Sequence, residues 1–209
     1  MNHPSPSIKL YDFQLSGHCH RVRLMLSLLG LSHETVPIDL LGGEHKRQPF
    51  LELNPFGQVP ALTDGEVVLA DSNAILVYLA LTYGDEKWLP RTAVEAAAVQ
   101  RWLSVAAGDI AHGVAAARAD VLFGMRCDME DAVKRAAQSL ANLDAALTAT
   151  PFLTGDLPTI ADVACYSYVA HAPEGRVSLE PYGHVRQWLA RIEALPRFVP
   201  MPRTPLRKP

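Results

Sequence analysis

The most reactive side chains of this sequence fall in one short run, Ser16-Gly17-His18-Cys19-His20-Arg21-Val22-Arg23, between an apolar stretch that reads as a strand and a longer one with helical spacing. Such a junction aims backbone N–H groups and the positive end of the helix dipole at one spot, which favours an anion or a thiolate. Ser16 stands where that anion would sit. No strong base is near it in sequence, so its hydroxyl is suited to stabilise a substrate thiolate, lowering a thiol pKa of about 8.5, and not to attack as a nucleophile. It is equally an ordinary helix N-cap. Cys19, one turn along, is either a redox thiol acidified by the helix start or a small buried core residue. His18 and His20 flank it, but successive helical positions point in different directions, so the three cannot close on one metal ion. Arg21 and Arg23 are expected to face a domain or subunit boundary.

Two further stretches have the chemistry of a ligand site. In Asn54-Pro55-Phe56-Gly57-Gln58-Val59-Pro60-Ala61-Leu62, Pro60 cannot donate into a sheet ladder. A cis Val59–Pro60 bond would turn the Val59 amide and carbonyl outward, where they could pair strand-like with the backbone of a peptide ligand. A plain edge strand is the alternative. In Asp71-Ser72-Asn73-Ala74-Ile75, Ser72 and the helix N–H groups could hold a carboxylate while Asp71 accepts from an α-ammonium; helix capping accounts for both residues as well. Thr159-Ile160-Ala161-Asp162 has the form of a capping box and is read as structural.

These stretches are set in a chain of 209 residues, 49% hydrophobic and 20% charged, which excludes disorder and collagen-like repeats. A net charge of −3 argues against a protein that grips nucleic acid or an anionic membrane, which leaves small ligands and protein partners. The three scattered cysteines do not form a disulfide framework, and no run approaches the roughly 18 apolar residues of a membrane span, so free thiols and a cytoplasmic setting are expected. Ile8 to Phe13 reads as a strand, and Val22, Met25, Leu26 and Leu29 as the apolar face of a helix ended by Gly30. Strands are expected at 33–38, 59–63 and 66–69, a short polar helix at 44–53, and a helix at 71–83. The order βαβ, helix, ββα is that of a thioredoxin-like sheet. Beyond a linker at 85–91, alanine becomes dense and strand-formers thin out. Helices are expected over 93–120, 128–148, 159–171 and 181–195, followed by a proline-rich basic tail from residue 196 without regular structure. Two domains follow, at 1–84 and 92–195.

Taken together, the serine after the first strand with Arg-Val-Arg beyond it, Asn-Pro-x-Gly-Gln-Val-Pro, Asp-Ser-x-Ala-Ile and Thr-Ile-Ala-Asp resemble the soluble glutathione transferases, over nearly the whole chain. The first serine is similar to that of the theta, zeta and delta classes. The resemblance implies an α/β thioredoxin-like domain that holds glutathione, an all-α domain that supplies most of the second-substrate pocket, and a homodimer. Position by position it implies that Ser16 donates to the glutathione thiolate and that Val59 before Pro60 holds the cysteinyl backbone. Asp71 and Ser72 would take the γ-glutamyl end, and Gln58 or His45 the glycyl end. Trp102, His112 and Tyr166 are expected in the second-substrate pocket, with Phe123, Phe198 and Met201 as further walls, and an apolar electrophile as the acceptor. No metal is expected. The run departs from the zeta isomerase pattern, having lost its polar pair and its tryptophan, which speaks against an isomerase. Serine at the position that is cysteine in omega members favours conjugation over disulfide reduction. Two other readings stand beside this one: a glutathione-dependent disulfide or peroxide reductase working through Cys19, and a non-catalytic binding or regulatory protein of the same fold.

Overall fold

The computed structural model describes residues 8–204; residues 1–7 and 205–209, the extreme ends of the first domain and of the tail, lie outside the described residues. The N-terminal half is a four-stranded sheet in the order β2-β1-β3-β4, made of β1 (Ile8–Asp12), β2 (Glu34–Pro37), β3 (Ala61–Asp64) and β4 (Val67–Ala70). β1 pairs parallel with β2, with Leu10 opposite Thr35, and antiparallel with β3, with Leu10 opposite Leu62; β3 and β4 form an antiparallel pair. The parallel pair needs a crossover, and α1 (Gly17–Leu29) supplies it. Val22, Met25 and Leu26 recur at helical spacing and are all buried, and Gly30 closes the helix at φ 69°, its N–H reaching back to the Leu26 and Ser27 carbonyls. The expected helix at 44–53 is instead a single 3₁₀ turn at Glu44–Lys46 and a short α2 (Phe50–Leu53), because Pro49 interrupts the backbone hydrogen bonding between them. α3 (Ser72–Tyr83) covers the sheet beside α1.

From residue 93 onward the described chain is helical: α4 (Ala93–Ala107), α5 (Ala116–Phe123), α6 (Met129–Ala146), α7 (Ile160–Ala170) and α8 (Gly183–Glu193). The single helix expected over 93–120 is broken. Gly108 leaves helical geometry at φ −100° and ψ −91°, and the chain resumes through a π-helical segment, Ala111–Ala115. α7 runs through the middle of this half and packs on α1, α3 and α4. Ten of its residues, Ile160 to Val169, are buried, which explains why its apolar residues encircle it instead of forming a stripe. Its start is held by the capping box: the Asp162 carboxylate accepts from the Thr159 N–H (2.9 Å), and also from the Leu153 N–H and the Trp188 indole at 2.9 Å each.

The two halves share one apolar core, in which Leu10, Val22, Leu62 and Ile75 from the sheet side continue into Trp102, Ile160, Val169 and Trp188. The halves approach tightly at Gly17, where a Cβ would lie 2.7 Å from the Tyr168 ring of α7. A side chain there would collide with that ring. The segment after α8 has no regular structure through residue 204, yet it is anchored: Ser27 donates to the Arg197 carbonyl (2.7 Å), and His20 bridges the Val199 carbonyl (2.9 Å) and the Ser167 hydroxyl (2.8 Å).

Candidate active site

After β1 the chain turns through Phe13, whose carbonyl accepts from the Ser16 N–H at 2.9 Å, and enters α1. Ser16 has extended geometry (φ −81°, ψ 123°), and its Oγ accepts from the Cys19 N–H at 3.2 Å. That bond uses a lone pair of Oγ and leaves the hydroxyl hydrogen uncommitted. The turn is pinned from behind by Arg23, which pairs with the buried Asp12 carboxylate and donates to the Gln14 carbonyl at 2.9 Å. Arg21 lies at the boundary with the helical half, its guanidinium 6.0 Å from the centre of the Tyr168 ring of α7, whereas Arg23 is paired within the N-terminal half. Arg21 is 1% exposed and donates from Nη1 to Ser72 Oγ (3.2 Å) and Asn73 Oδ1 (2.8 Å). Its Nε and Nη2 have no hydrogen-bond partner among the described residues, so it places an incompletely paired positive charge beneath the start of α3. Burial draws its pKa down from the usual value, but a guanidinium stays protonated.

Across from Ser16, Asn54 closes a tight loop, its side chain donating to the Gln58 carbonyl (2.7 Å) and accepting from the Phe56 N–H (3.1 Å). The Val59–Pro60 bond is cis, and Val59 makes no backbone hydrogen bond to the rest of the described chain. Lys46 reaches over from the 3₁₀ turn to the Phe56 carbonyl at 3.1 Å. At the head of α3, Asp71 takes a positive φ of 69°, rare for a residue with a side chain, and its Oδ1 accepts from both the Asn73 and Ala74 N–H groups at 2.9 Å. The second oxygen, Oδ2, is left for another partner. Ser72 is buried beside it, between Arg21 and His18, whose Nδ1 lies 3.4 Å from Ser72 Oγ.

These elements enclose a cleft of about 660 Å³, within the range that holds a small ligand. Ser16, His45, Gln58, Val59, Pro60, Asp71 and Ser72 all line it, so the three stretches of sequence with ligand chemistry meet at one place. His18 and Lys46 line it too, and sequence reasoning passed them over. Lys46 follows His45 directly and was legible only as one charge among several in a polar run. Burial and the neighbouring Arg21 charge pull His18 down to about 3, so it is neutral at physiological pH. His45 is also lowered, by burial and then by Lys46.

The expected second-substrate residues do not reach this cleft. Trp102 is buried in the α4–α7 contact, its indole donating to the Leu153 carbonyl at 3.0 Å. Tyr166 is buried beside Trp188 and Phe198, its hydroxyl donating to Glu193 at 2.9 Å, and Met201 is buried as well. His112 is exposed on the π-helical segment. Phe123 packs against Phe13, at a centroid distance of 6.1 Å. Among the described residues of the helical half, Met125 alone lines the cleft. Cys19 is fully buried, and burial followed by the Asp12 charge pushes its thiol up to about 12, which is unsuited to redox exchange. Among the described residues no helix is long and apolar enough to cross a membrane, and no group of three or more His, Cys, Asp or Glu is placed to hold a metal ion.

A four-stranded mixed sheet carrying a ligand cleft at the head of its first helix, followed by an all-helical half, is a thioredoxin-like domain joined to an all-α domain. Residues 10–87 match the family model of the glutathione S-transferase N-terminal domain, and residues 125–196 that of the C-terminal domain. The chain is 36% identical to glutathione S-transferase 3 of Zea mays, over 95% of this chain and 97% of that one. A crystal structure of a possible glutathione S-transferase from Rhodopseudomonas palustris superimposes with a TM-score of 0.88 at 33% identity, covering 95% of this chain and 99% of the other. A glutathione transferase homologue from Drosophila mojavensis, solved with bound glutathione, superimposes with a TM-score of 0.84 at 26% identity, covering 91% and 89%. The chain therefore belongs to the glutathione S-transferase family of enzymes.

Proposed function

We propose that this glutathione S-transferase activates the thiol of glutathione through Ser16, for conjugation to an apolar electrophile. The observation that carries the reading is the state of the Ser16 hydroxyl: it lies in the cleft wall at the positive end of α1, accepts from the Cys19 N–H, and keeps its hydrogen for a sulfur anion. Glutathione is an anionic tripeptide with a free α-amino group, and the cleft offers a complement to each part. The Val59 amide and carbonyl suit the cysteinyl backbone. Ser72 suits the γ-glutamyl carboxylate: Arg21 donates to its Oγ, and its own hydrogen can turn from the long contact with His18 Nδ1 (3.4 Å) to a ligand oxygen. Asp71 Oδ2 suits the α-ammonium, and Lys46, with His45 and Gln58 beside it, suits the glycyl carboxylate.

The thiol loses its proton to solvent in the cleft, since neutral His18 is too weak a base to hold it. The thiolate, held by the Ser16 O–H, then attacks the electrophilic carbon. A new S–C bond forms as the leaving group departs with its electron pair, or as a double bond accepts the pair in an addition. The acceptor sits toward Met125, an apolar side chain in the cleft wall. The same reading includes a homodimer, with exposed Phe56, Leu81 and Val94 as apolar surface that a second copy can cover; sedimentation velocity tests it. The activity itself is tested by calorimetric titration with glutathione alongside steady-state conjugation of an aryl halide. Binding without any Ser16-dependent conjugation would overturn the reading.

A further inference from the structure

Behind the Ser16 turn, on the side away from the cleft, lies a buried ionic cluster for which the chemistry above has no use. Arg118 of α5 is 2% exposed. Its Nε donates to Glu174 Oε2 at 2.7 Å, and its Nη1 donates to the carbonyl of Leu15, the residue before Ser16, at 2.9 Å. The other oxygen, Glu174 Oε1, accepts from His171 Nδ1 at 2.9 Å and from the Thr204 N–H at 3.0 Å. One carboxylate thus joins α5, the turn after α7 and the last described segment of the chain, and one guanidinium carries that junction across to the turn bearing Ser16. Burial alone would raise the Glu174 carboxyl, but hydrogen bonds from His171, Thr204 and Arg118 outweigh it and hold the group below its usual range, ionised.

A buried ion pair is a weak source of net stability, because both charges must leave water, so its value lies in fixing an arrangement. The arrangement fixed here is the register of the Ser16 turn. Leu15 has no side-chain function in the cleft, and its carbonyl is held by a charge-assisted bond from a different half of the molecule. We propose that Arg118 is a positioning residue for Ser16, and that Glu174 couples this to docking of the chain at Thr204. The inference rests on the role of Ser16 proposed above. It implies that the helical half contributes to thiol activation through the backbone of the turn, without touching glutathione.

The test is a double-mutant cycle on the full-length protein, measuring aryl halide conjugation at saturating glutathione. Arg118→Lys keeps the charge but cannot span both Glu174 and Leu15. With Ser16 present it should lower kcat about 10-fold with little change in the KM for glutathione; in the Ser16→Ala background it should have almost no further effect. Equal factors in the two backgrounds, in folded protein, would overturn the proposal. If Ser16→Ala alone leaves turnover intact, the Ser16 reading has failed on its own account, and amide hydrogen exchange over residues 13–19 then decides the positioning claim. Exchange should accelerate in Arg118→Lys, and unchanged exchange refutes it. Should Arg118→Lys not fold, Thr204→Pro deletes the N–H that donates to Glu174 along with the threonine side chain, while Thr204→Ala removes the side chain and keeps the N–H. The proline variant should loosen the 13–19 turn and slow conjugation, and the alanine variant should not. No difference between the two overturns the coupling to the tail.

Discussion

Replacing Ser16 with alanine separates two jobs that one oxygen performs. As an N-cap, Oγ satisfies the Cys19 N–H; its loss should cost about 1 kcal/mol, or a fall of roughly 2–4 °C in Tm for a chain of this size. As a donor to a thiolate, it makes a hydrogen bond to a charged group, worth about 1.5–3 kcal/mol. At 1.36 kcal/mol per pKa unit, the thiol of bound glutathione should titrate about 1–2 units higher in the variant, so the thiolate fraction below that pKa falls about 10- to 100-fold. The assay is the pH dependence of kcat for conjugation of an aryl halide, read beside the glutathione affinity, which should change little. Ser16→Asp isolates the two roles. Its carboxylate is a good cap, favoured by the helix dipole, so the melting temperature should return to near the wild-type value. It offers no hydrogen and adds a negative charge beside the sulfur, so conjugation should fall below that of Ser16→Ala. An unshifted pH profile in Ser16→Ala, or wild-type turnover in Ser16→Asp, would refute the reasoning.

Arg21→Met removes the buried donor from Ser72 and Asn73; isothermal titration should find glutathione bound about 10-fold or more weakly, while Arg21→Lys recovers part of the loss. Cys19→Ala should leave conjugation within about twofold of wild type, and neither Cys19 nor Cys165 should react with an aromatic disulfide reagent in the native protein at pH 8, since burial raises both thiols. His20 is buried neutral and drawn down to about 3, so the unfolded chain binds a proton that the folded one refuses as pH falls below about 6.5. Stability from this group is therefore present above pH 6.5 and declines below it, by about 1.4 kcal/mol per pH unit; urea unfolding between pH 6.5 and 4.5 should be less steeply pH-dependent in His20→Gln. Asp162→Ala strips the acceptor from three buried N–H donors and the Thr159 hydroxyl and should destabilise the fold by about 3 kcal/mol or more by urea titration, without altering the pH profile of whatever enzyme remains folded.

Local rules were enough for whatever depends on neighbours in the chain. The strand before Ser16, the helix that opens at Gly17 and closes at Gly30, the Asp71 cap of α3 and the capping box of Thr159 and Asp162 are each legible from a few adjacent residues, because each answers to backbone hydrogen bonds that must be satisfied within a turn or two. The meeting of Ser16, Val59 and Ser72 in one cleft was implied by the resemblance to the glutathione transferases and not by any local rule. What lay beyond reach was decided by packing between distant segments. Apolar residues surround α7, so periodicity could not tell which side faces the cleft, and Tyr166 and Trp102 went into the core with their polar atoms satisfied at Glu193 and Leu153. Arg21 reads as a charge at some boundary in any local window; only the seating of α3 and α7 on α1 buries it beneath Ser72. Arg118 and Glu174 are 56 residues apart, and nothing near either announces the other. Hydrogen-bond capacity and helical period belong to the sequence, but the direction in which a side chain points, and the charge it meets there, belong to the tertiary fold.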